Sequence, residues 1–246
     1  MELILTRPNK QIFRREGPRG PQLIKLFGEG VPASSVLSEA TNHARAFETG
    51  LPVPRLHEVT KLDSKWAIIA DFIEGETLLR RMEAEPDNPQ WMELFVRLQT
   101  EVQGQYIPKT QRQQDKLERK IAASGLDATT RYELQTRLDA MHHHRKSCHG
   151  DFIPSNIILR GDRAFIIDWN QLTQGNAAAD AANTYITLEK YGDPELARAY
   201  LKLYCELSDT ARQYVMKWVP IVAGAALGDC PQAERAFYKK WCEGLI

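Results

Sequence analysis

The segment that most restricts how this chain of 246 residues can fold runs from His149 to Trp169. It reads His149-Gly150-Asp151-Phe152-Ile153-Pro154-Ser155-Asn156 and closes on Ile166-Ile167-Asp168-Trp169. Between the two blocks the helical pattern of the surrounding sequence breaks. Apolar runs over 157–159 and 164–167 flank Gly161-Asp162, so the spacing predicts two short strands joined by a tight turn. Asp151 and Asn156 then share one loop, and Asp168 arrives at the end of the second strand. Asp, Asn, Pro and Gly favour turns in any protein. Polar residues at fixed offsets, with an apolar hairpin between them, are a more specific pattern than turn propensity alone produces.

The rest of the chain divides by pattern. Residues 3–6, 11–15 and 23–27 are short apolar or alternating runs and read as strands, the last two separated by Gly17-Pro18-Arg19-Gly20-Pro21. A helix over 35–49 follows, with Leu37, Ala40, Ala44 and Phe47 on its apolar face and Gly50 as its stop. Leu51-Pro52-Val53-Pro54 is an extended connector to strands over 56–60 and 66–72. Thereafter the pattern is helical. Asn88 is a good cap with Pro89 at the first helical position, leading the stripe Trp91, Leu94, Phe95, Leu98 and Val102. Residues 111–122 read as a solvated helix and 129–143 as another. Asp193-Pro194-Glu195 starts one more, and Ser208 and Pro231 introduce the last helical segments. The expected fold class is α+β. A small antiparallel lobe with one helix, residues 1–75, precedes a larger helical lobe, residues 76–246, with the seam at Ile73-Glu74-Gly75-Glu76.

The offsets around Asp151 suit phosphoryl transfer to a hydroxyl. That reaction needs a carboxylate to accept or orient the hydroxyl proton and hard oxygen ligands to hold Mg²⁺ on the phosphates. An aspartate followed after four residues by an asparagine has the spacing of a kinase catalytic loop. Asp151 is therefore the candidate base, and Asn156 with Asp168 the candidate metal ligands. Lys25 is the second element. It interrupts the apolar strand Leu23-Ile24-Lys25-Leu26-Phe27, where a charge is costly unless paired. Glu39 in the next helix, on the side of Val36 and His43, can supply the partner. Kinases use such a lysine on the α- and β-phosphates. The plainer alternative is an edge-strand lysine facing water.

With these residues in view, the chain resembles the aminoglycoside phosphotransferase and choline kinase-like family, small-molecule relatives of the protein kinases. The matching stretches are residues 23–27, Glu39 with Gly50-Leu51-Pro52-Val53-Pro54, Phe72-Ile73-Glu74-Gly75-Glu76-Thr77-Leu78, residues 148–156 and residues 166–180. The resemblance implies a protein-kinase-like two-lobed fold and ATP and Mg²⁺ as cofactors. It implies that Lys25 and Glu39 form the phosphate-binding pair and that Asp71, Phe72 and Ile73 meet adenine through backbone groups. His149 and Asp180 would support the catalytic loop, Asp180 as its brace; an aspartate near a helix N-terminus is favoured by the dipole in any case.

Two departures stand out. The family's loops often read H-G-D-x-H-P-x-N, and Ile153 occupies the second histidine position. The turn between the first two strands, Thr6-Arg7-Pro8-Asn9-Lys10-Gln11, has no glycine to let backbone amides approach phosphates closely. Arg7 and Lys10 are the side chains available to substitute. This motivates the alternative of a kinase-like protein that binds nucleotide with weak or no transfer. A protein kinase is disfavoured, because no D-F-G follows at Asp168 and no A-P-E comes after it.

Composition sets the remaining bounds. Net charge is +0, which argues against nucleic acid or an anionic membrane as main partner. The opening Met1-Glu2-Leu3-Ile4 lacks a signal-peptide pattern, and the longest apolar run, near 219–227, is far short of the ~20 residues that span a bilayer. A cytoplasmic location is expected. Cys148, Cys205, Cys230 and Cys242 are too scattered for a zinc site and read as plain thiols. His142-His143-His144 has no second ligand cluster beside it and reads as a polar helix end. The expected partner is a small hydroxylated, cationic acceptor, with Glu83, Glu85, Asp87, Glu189, Asp193 and Glu195 as carboxylates near it.

Overall fold

The computed structural model describes residues 1–191 and 194–243. In chain order the strands and helices are β1 (Glu2–Arg7), β2 (Lys10–Gly17), β3 (Gly20–Phe27), α1 (Ala33–Glu48), β4 (Leu56–Leu62), β5 (Lys65–Asp71), β6 (Glu76–Thr77), α2 (Leu78–Ala84) and α3 (Pro89–Gly104). They continue as α4 (Gln113–Ala122), α5 (Ala128–Asp139), β7 (Lys146–Cys148), β8 (Ile157–Arg160), β9 (Arg163–Ile166), β10 (Thr173–Gly175), α6 (Ala177–Lys190), α7 (Pro194–Ser208), α8 (Arg212–Ala226) and α9 (Arg235–Glu243). The fold is α+β, and its residues gather into two compact units: 1–85 with 154–171, and 86–153 with 172–246.

The first unit is built on an antiparallel sheet of order β1-β2-β3-β5-β4. Its register decides which side chains can meet. Lys25 stands opposite Ile68 and Ile12, and Lys10 stands opposite Phe27. Residues alternate faces along a strand and share a face with their cross-strand partner. Lys10, Lys25, Phe27 and Ile68 therefore share one face, and α1 covers it through Val36 and Ala40. Ile24, Ala67 and Ile69 form a second cluster, with Phe13, Leu26 and Leu62 against it.

The buried side of α1 is not the one the largest side chains predict. Leu37 and Phe47 are 47% and 41% exposed, while Val36, Ala40 and Ala46 are buried. Small residues let the helix lie close on Phe27 and Ile68, and that contact outweighs the larger but solvent-facing pair. Gly50 takes φ +82°, the left-handed stop that glycine tolerates best. The hairpin β8–β9 forms where the apolar runs predict it, Ile157 pairing with Ile166, and β6 adds a third strand against β8. Gly75 before β6 has a steric reason: a Cβ there would come within 2.1 Å of the Leu159 carbonyl oxygen.

The second unit is helical. Asn88 caps α3 by accepting from the Gln90 amide at 3.2 Å, as the sequence predicts. Helix α5 stops at Asp139, so His142, His143 and His144 lie beyond it and not in its last turn. Ser208 ends α7 and does not introduce a helix; α8 starts after Ala211. Asp193, the expected start of α7, lies outside the described residues. Strand β7 pairs with β10, Cys148 opposite Thr173 and Lys146 opposite Gly175, which fixes the chain leading into His149.

Candidate functional site

In the first unit the sheet, α1 and the turn after β9 bring charged side chains together. Lys25, 7% exposed, hydrogen-bonds the Glu39 carboxylate and donates to Asp168 Oδ1 at 3.2 Å. Lys10 Nζ lies 3.5 Å from Asp168 Oδ2. Two lysines on one sheet face thus converge on one carboxylate. Burial opposes the charge on Lys25, but Asp168 and Glu39 outweigh it and hold its pKa above the ordinary lysine value. For Lys10, burial, aided by the positive charge of Lys25, wins over the pull of Asp168 and lowers the pKa. Asp168 adopts φ +62°, a left-handed conformation uncommon outside glycine and one that recurs at functional sites. Asn156 closes a short 3₁₀ turn, and its carbonyl accepts from the Ile167 amide at 2.9 Å. The backbones beside Asn156 and Asp168 are thereby tied together.

Asp71, Phe72 and Ile73 lie at the end of β5 and just past it. The Asp71 carboxylate accepts from His57 Nε2 at 2.7 Å and from the Arg55 amide at 3.3 Å. The Asp71 and Phe72 amides donate to the carbonyls of Arg55 and Pro21. These bonds tie the end of β5 to the chain beside β3 and β4. Arg7, proposed beside Lys10 as a stand-in for loop amides, is exposed at the end of β1.

In the second unit His149 and Asp180 frame the loop that carries Asp151. His149 is fully buried, its Nδ1 accepts from the Asp151 amide at 3.3 Å, and its ring stacks edge-on with Phe152. Gly150, at φ +81°, donates its amide to Asp180 Oδ1 at 2.7 Å. Asp180 Oδ2 accepts from Gln103 and Gln99, at 3.2 and 3.3 Å. Tyr200 and Tyr204 donate to those glutamines at 2.6 and 2.9 Å. Asn183 Nδ2 donates to the Gly150 carbonyl and the Thr184 hydroxyl to that of Phe152, both at 2.9 Å. Gln99, Gln103, Asn183 and Thr184 were not foreseen. The readable signal was two glutamines four residues apart inside the apolar stripe of α3, a spacing that aims both at one core position.

The acceptor-side carboxylates have local partners. Glu85 pairs with Arg81 and Glu195 with Arg198, at 3.3 and 3.8 Å, and Glu189 accepts from the Tyr185 hydroxyl at 2.8 Å. Glu83 and Asp87 are exposed. Asp193 lies outside the described residues.

A small antiparallel sheet with one helix, followed by a helical bulk, makes up a protein-kinase-like fold. The sequence matches the phosphotransferase enzyme family over residues 8–218, and the chain belongs to that family. No curated protein sequence matches it significantly. Among solved structures, it is similar to a thermostable mutant of aminoglycoside phosphotransferase APH(4)-Ia in complex with AMP-PNP and hygromycin B. That match has a TM-score of 0.74 and 13% identity, over 98% of this chain and 91% of the other. A choline/ethanolamine kinase family protein from Mesorhizobium loti matches at TM-score 0.68 and 16% identity, over 100% and 88%. Amicoumacin kinase hAmiN, in complex with AMP-PNP, Ca²⁺ and Ami, matches at TM-score 0.68 and 11% identity, over 99% and 89%. Among the described residues no helix is long and apolar enough to cross a membrane, and no three His, Cys, Asp or Glu side chains gather as a metal site.

Proposed function

We propose that this phosphotransferase moves the γ-phosphoryl group of ATP, with Mg²⁺, to a hydroxyl of a small cationic molecule such as an aminoglycoside or amino alcohol. The observation that carries the reading is the cluster of Lys25 with Glu39 and Asp168. A buried ammonium steadied by a helix carboxylate is the arrangement that contacts α- and β-phosphates. Residues 1–75 are assigned to nucleotide binding, with Asp71, Phe72 and Ile73 beside adenine, and residues 76–246 to catalysis and the acceptor. With the Asp71 and Phe72 amides already bonded to carbonyls, adenine contact falls to the Ile73 backbone and the remaining carbonyl oxygens.

The donor set fits magnesium: one carboxylate on Asp168 and one amide oxygen on Asn156, both hard oxygen ligands that leave room for phosphates and water. Bound Mg²⁺ would neutralise charge on the transferring group. The chain's own residues do the rest. Asp151 takes the hydroxyl proton, and the amide of Gly150, held by Asp180, fixes the loop on which Asp151 sits. Lys25 and Lys10 meet the phosphate charge that the glycine-free turn leaves without backbone donors.

Similar structures hold AMP-PNP with hygromycin B or with Ami, and another is a choline/ethanolamine kinase family protein, which supports a small hydroxylated acceptor. The test is ATP consumption with and without Mg²⁺ against aminoglycosides, amino alcohols, sugars, thiamine and nucleosides, at low and high salt. Turnover on an amine-bearing alcohol, weakened by salt, is expected. Activity on neutral sugars alone would remove the cationic acceptor. Mg·ATP binding without turnover on any acceptor would leave the alternative that the glycine-free turn motivates, a nucleotide-binding protein without transfer.

A further inference from the structure

The helical unit contains a cavity of about 410 Å³ that the phosphotransfer reading does not use. Its wall includes the start of α4, the end of α5, the segment 141–145, β10 and Trp218 of α8. Three of the residues that line it carry a buried polar atom with no hydrogen-bond partner among the described residues: Trp218 Nε1, Gln174 Nε2 and Gln114 Oε1. Trp218 is only 3% exposed, and its indole N–H can only donate. A buried donor left without an acceptor is destabilising. Both donor atoms, Trp218 Nε1 and Gln174 Nε2, have almost no accessible surface, so a ligand bearing acceptor atoms relieves that cost only where side chains of the wall shift to admit it.

The charge of the wall points the same way. Arg112, Arg145 and the run His142-His143-His144 line it, and among the described residues no carboxylate does. Two carboxylates that contact lining residues are already engaged there. Asp115 lies 3.7 Å from Arg112, and Asp139 accepts from Gln114 Nε2 at 3.4 Å. Beyond the shared Met141 lies a second, more open hollow edged by Arg137, Arg212 and Lys217, again without a carboxylate among the described residues. A chain of zero net charge thus gathers cations on this part of one unit. Leu138, Met141 and the Trp218 ring supply an apolar wall. The histidine run, which gathers no metal cluster among the described residues, finds its place here.

The cavity is distinct from the catalytic loop. It opens at the Lys146–Gly175 end of the β7–β10 ladder, whereas the chain leaves for His149 and Asp151 at the Cys148–Thr173 end. We infer that this cavity is a second ligand site, built for a small oxyanion, a carboxylate or phosphate ester with an apolar portion, seated between Arg145, Gln174 and the Trp218 indole. Its volume lies in the lower part of the ~300–1,000 Å³ range of small-molecule sites.

The inference is tested by calorimetry on the full chain with benzoate and phenyl phosphate, and with benzyl alcohol as the neutral analogue. At least one oxyanion is expected to bind while the alcohol does not. Arg145→Ala and Trp218→Phe are expected to weaken that binding tenfold or more. Trp218→Phe should also abolish the ligand-induced change in tryptophan emission. Arg145 is exposed, so its variant is not expected to disturb folding, and circular dichroism checks the other. Lys25→Ala should leave the affinity unchanged, which separates this site from the nucleotide site. The inference is overturned if neither oxyanion binds, if benzyl alcohol binds as tightly, or if affinity follows Lys25 and is indifferent to Arg145 and Trp218.

Discussion

The Gly150 amide donates to the Asp180 carboxylate at 2.7 Å, joining two residues 30 apart in sequence. Gly150 precedes Asp151, so this bond sets the backbone from which Asp151 projects. The other carboxylate oxygen is held by Gln99 and Gln103. Asp180→Asn places an amide donor among three donors and strands at least one of them in the core. We expect a loss of stability of about 1–3 kcal/mol and a fall in kcat with little change in KM for ATP. A variant in which KM rises and kcat holds would show that Asp180 acts on nucleotide binding and not on the loop.

Asp151→Asn is expected to cut turnover by ~10²–10⁴-fold, the usual range for loss of a general base. Nucleotide affinity should be nearly intact, because the carboxylate is assigned to the acceptor and not to ATP. Turnover close to wild type would remove Asp151 from the mechanism.

Lys116 on α4 links sequence to stability through pH. Burial, with Lys120 one turn away, pulls its pKa down from the ordinary 10.5 to about 8. Between these values the unfolded chain binds more protons than the folded one, so folded stability rises with pH from about 8 towards 10.5. Below 8 the full cost of charging a half-buried amine is present. Lys116→Met should therefore stabilise the protein at pH 7, on the order of 1–3 kcal/mol, and the advantage should shrink as pH approaches 10.5. Urea unfolding at several pH values checks this; a gain that does not depend on pH would exclude the charge as its cause.

These residues show how far the sequence could be read. The β8–β9 hairpin was legible because its signal is local: two apolar runs and a turn whose Gly161 takes φ +61°. Lys25 was legible as a charge in an apolar strand, and Glu39 as a carboxylate one helix later. The buried face of α1 was misread, since side-chain size favours Leu37 and Phe47 while close packing selects Val36, Ala40 and Ala46. The setting of Asp180 was not legible, because its glutamine partners lie 77 and 81 residues away and only tertiary packing brings them together. The expectation for 111–122 was half right. Helix α4 is polar, yet Gln113 is buried and holds the Asn176 amide at 2.8 Å.

Asp168→Ala is expected to weaken Mg²⁺-dependent nucleotide binding, because it removes the carboxylate assigned to the metal. It also leaves Lys25 and Lys10 facing each other without the charge between them. Magnesium should therefore lose its effect on affinity, while metal-free ATP binds no worse than to wild type. Calorimetry with and without Mg²⁺ decides it: equal binding of Mg·ATP by both proteins would refute the metal assignment.

The two cations of the glycine-free turn are not equivalent. Arg7 and Lys10 face one another across the β1–β2 hairpin, yet their settings differ. Lys10 pairs with Phe27, which puts it on the same sheet face as Lys25, and its ammonium reaches Asp168. Arg7 is exposed at the end of the edge strand. If side chains replace backbone amides over the phosphates, Lys10 is the residue placed to do so. Lys10→Ala should raise KM for ATP several-fold while Arg7→Ala leaves it close to wild type. The double variant should match Lys10→Ala alone, since additivity then leaves nothing for Arg7 to contribute. Lys25→Ala should cost more than either, because it removes the ammonium that Glu39 and Asp168 together hold in place. Steady-state kinetics over a range of ATP concentrations measures all four variants. An unchanged KM in Lys10→Ala would mean that the phosphates are held by Lys25 and magnesium alone.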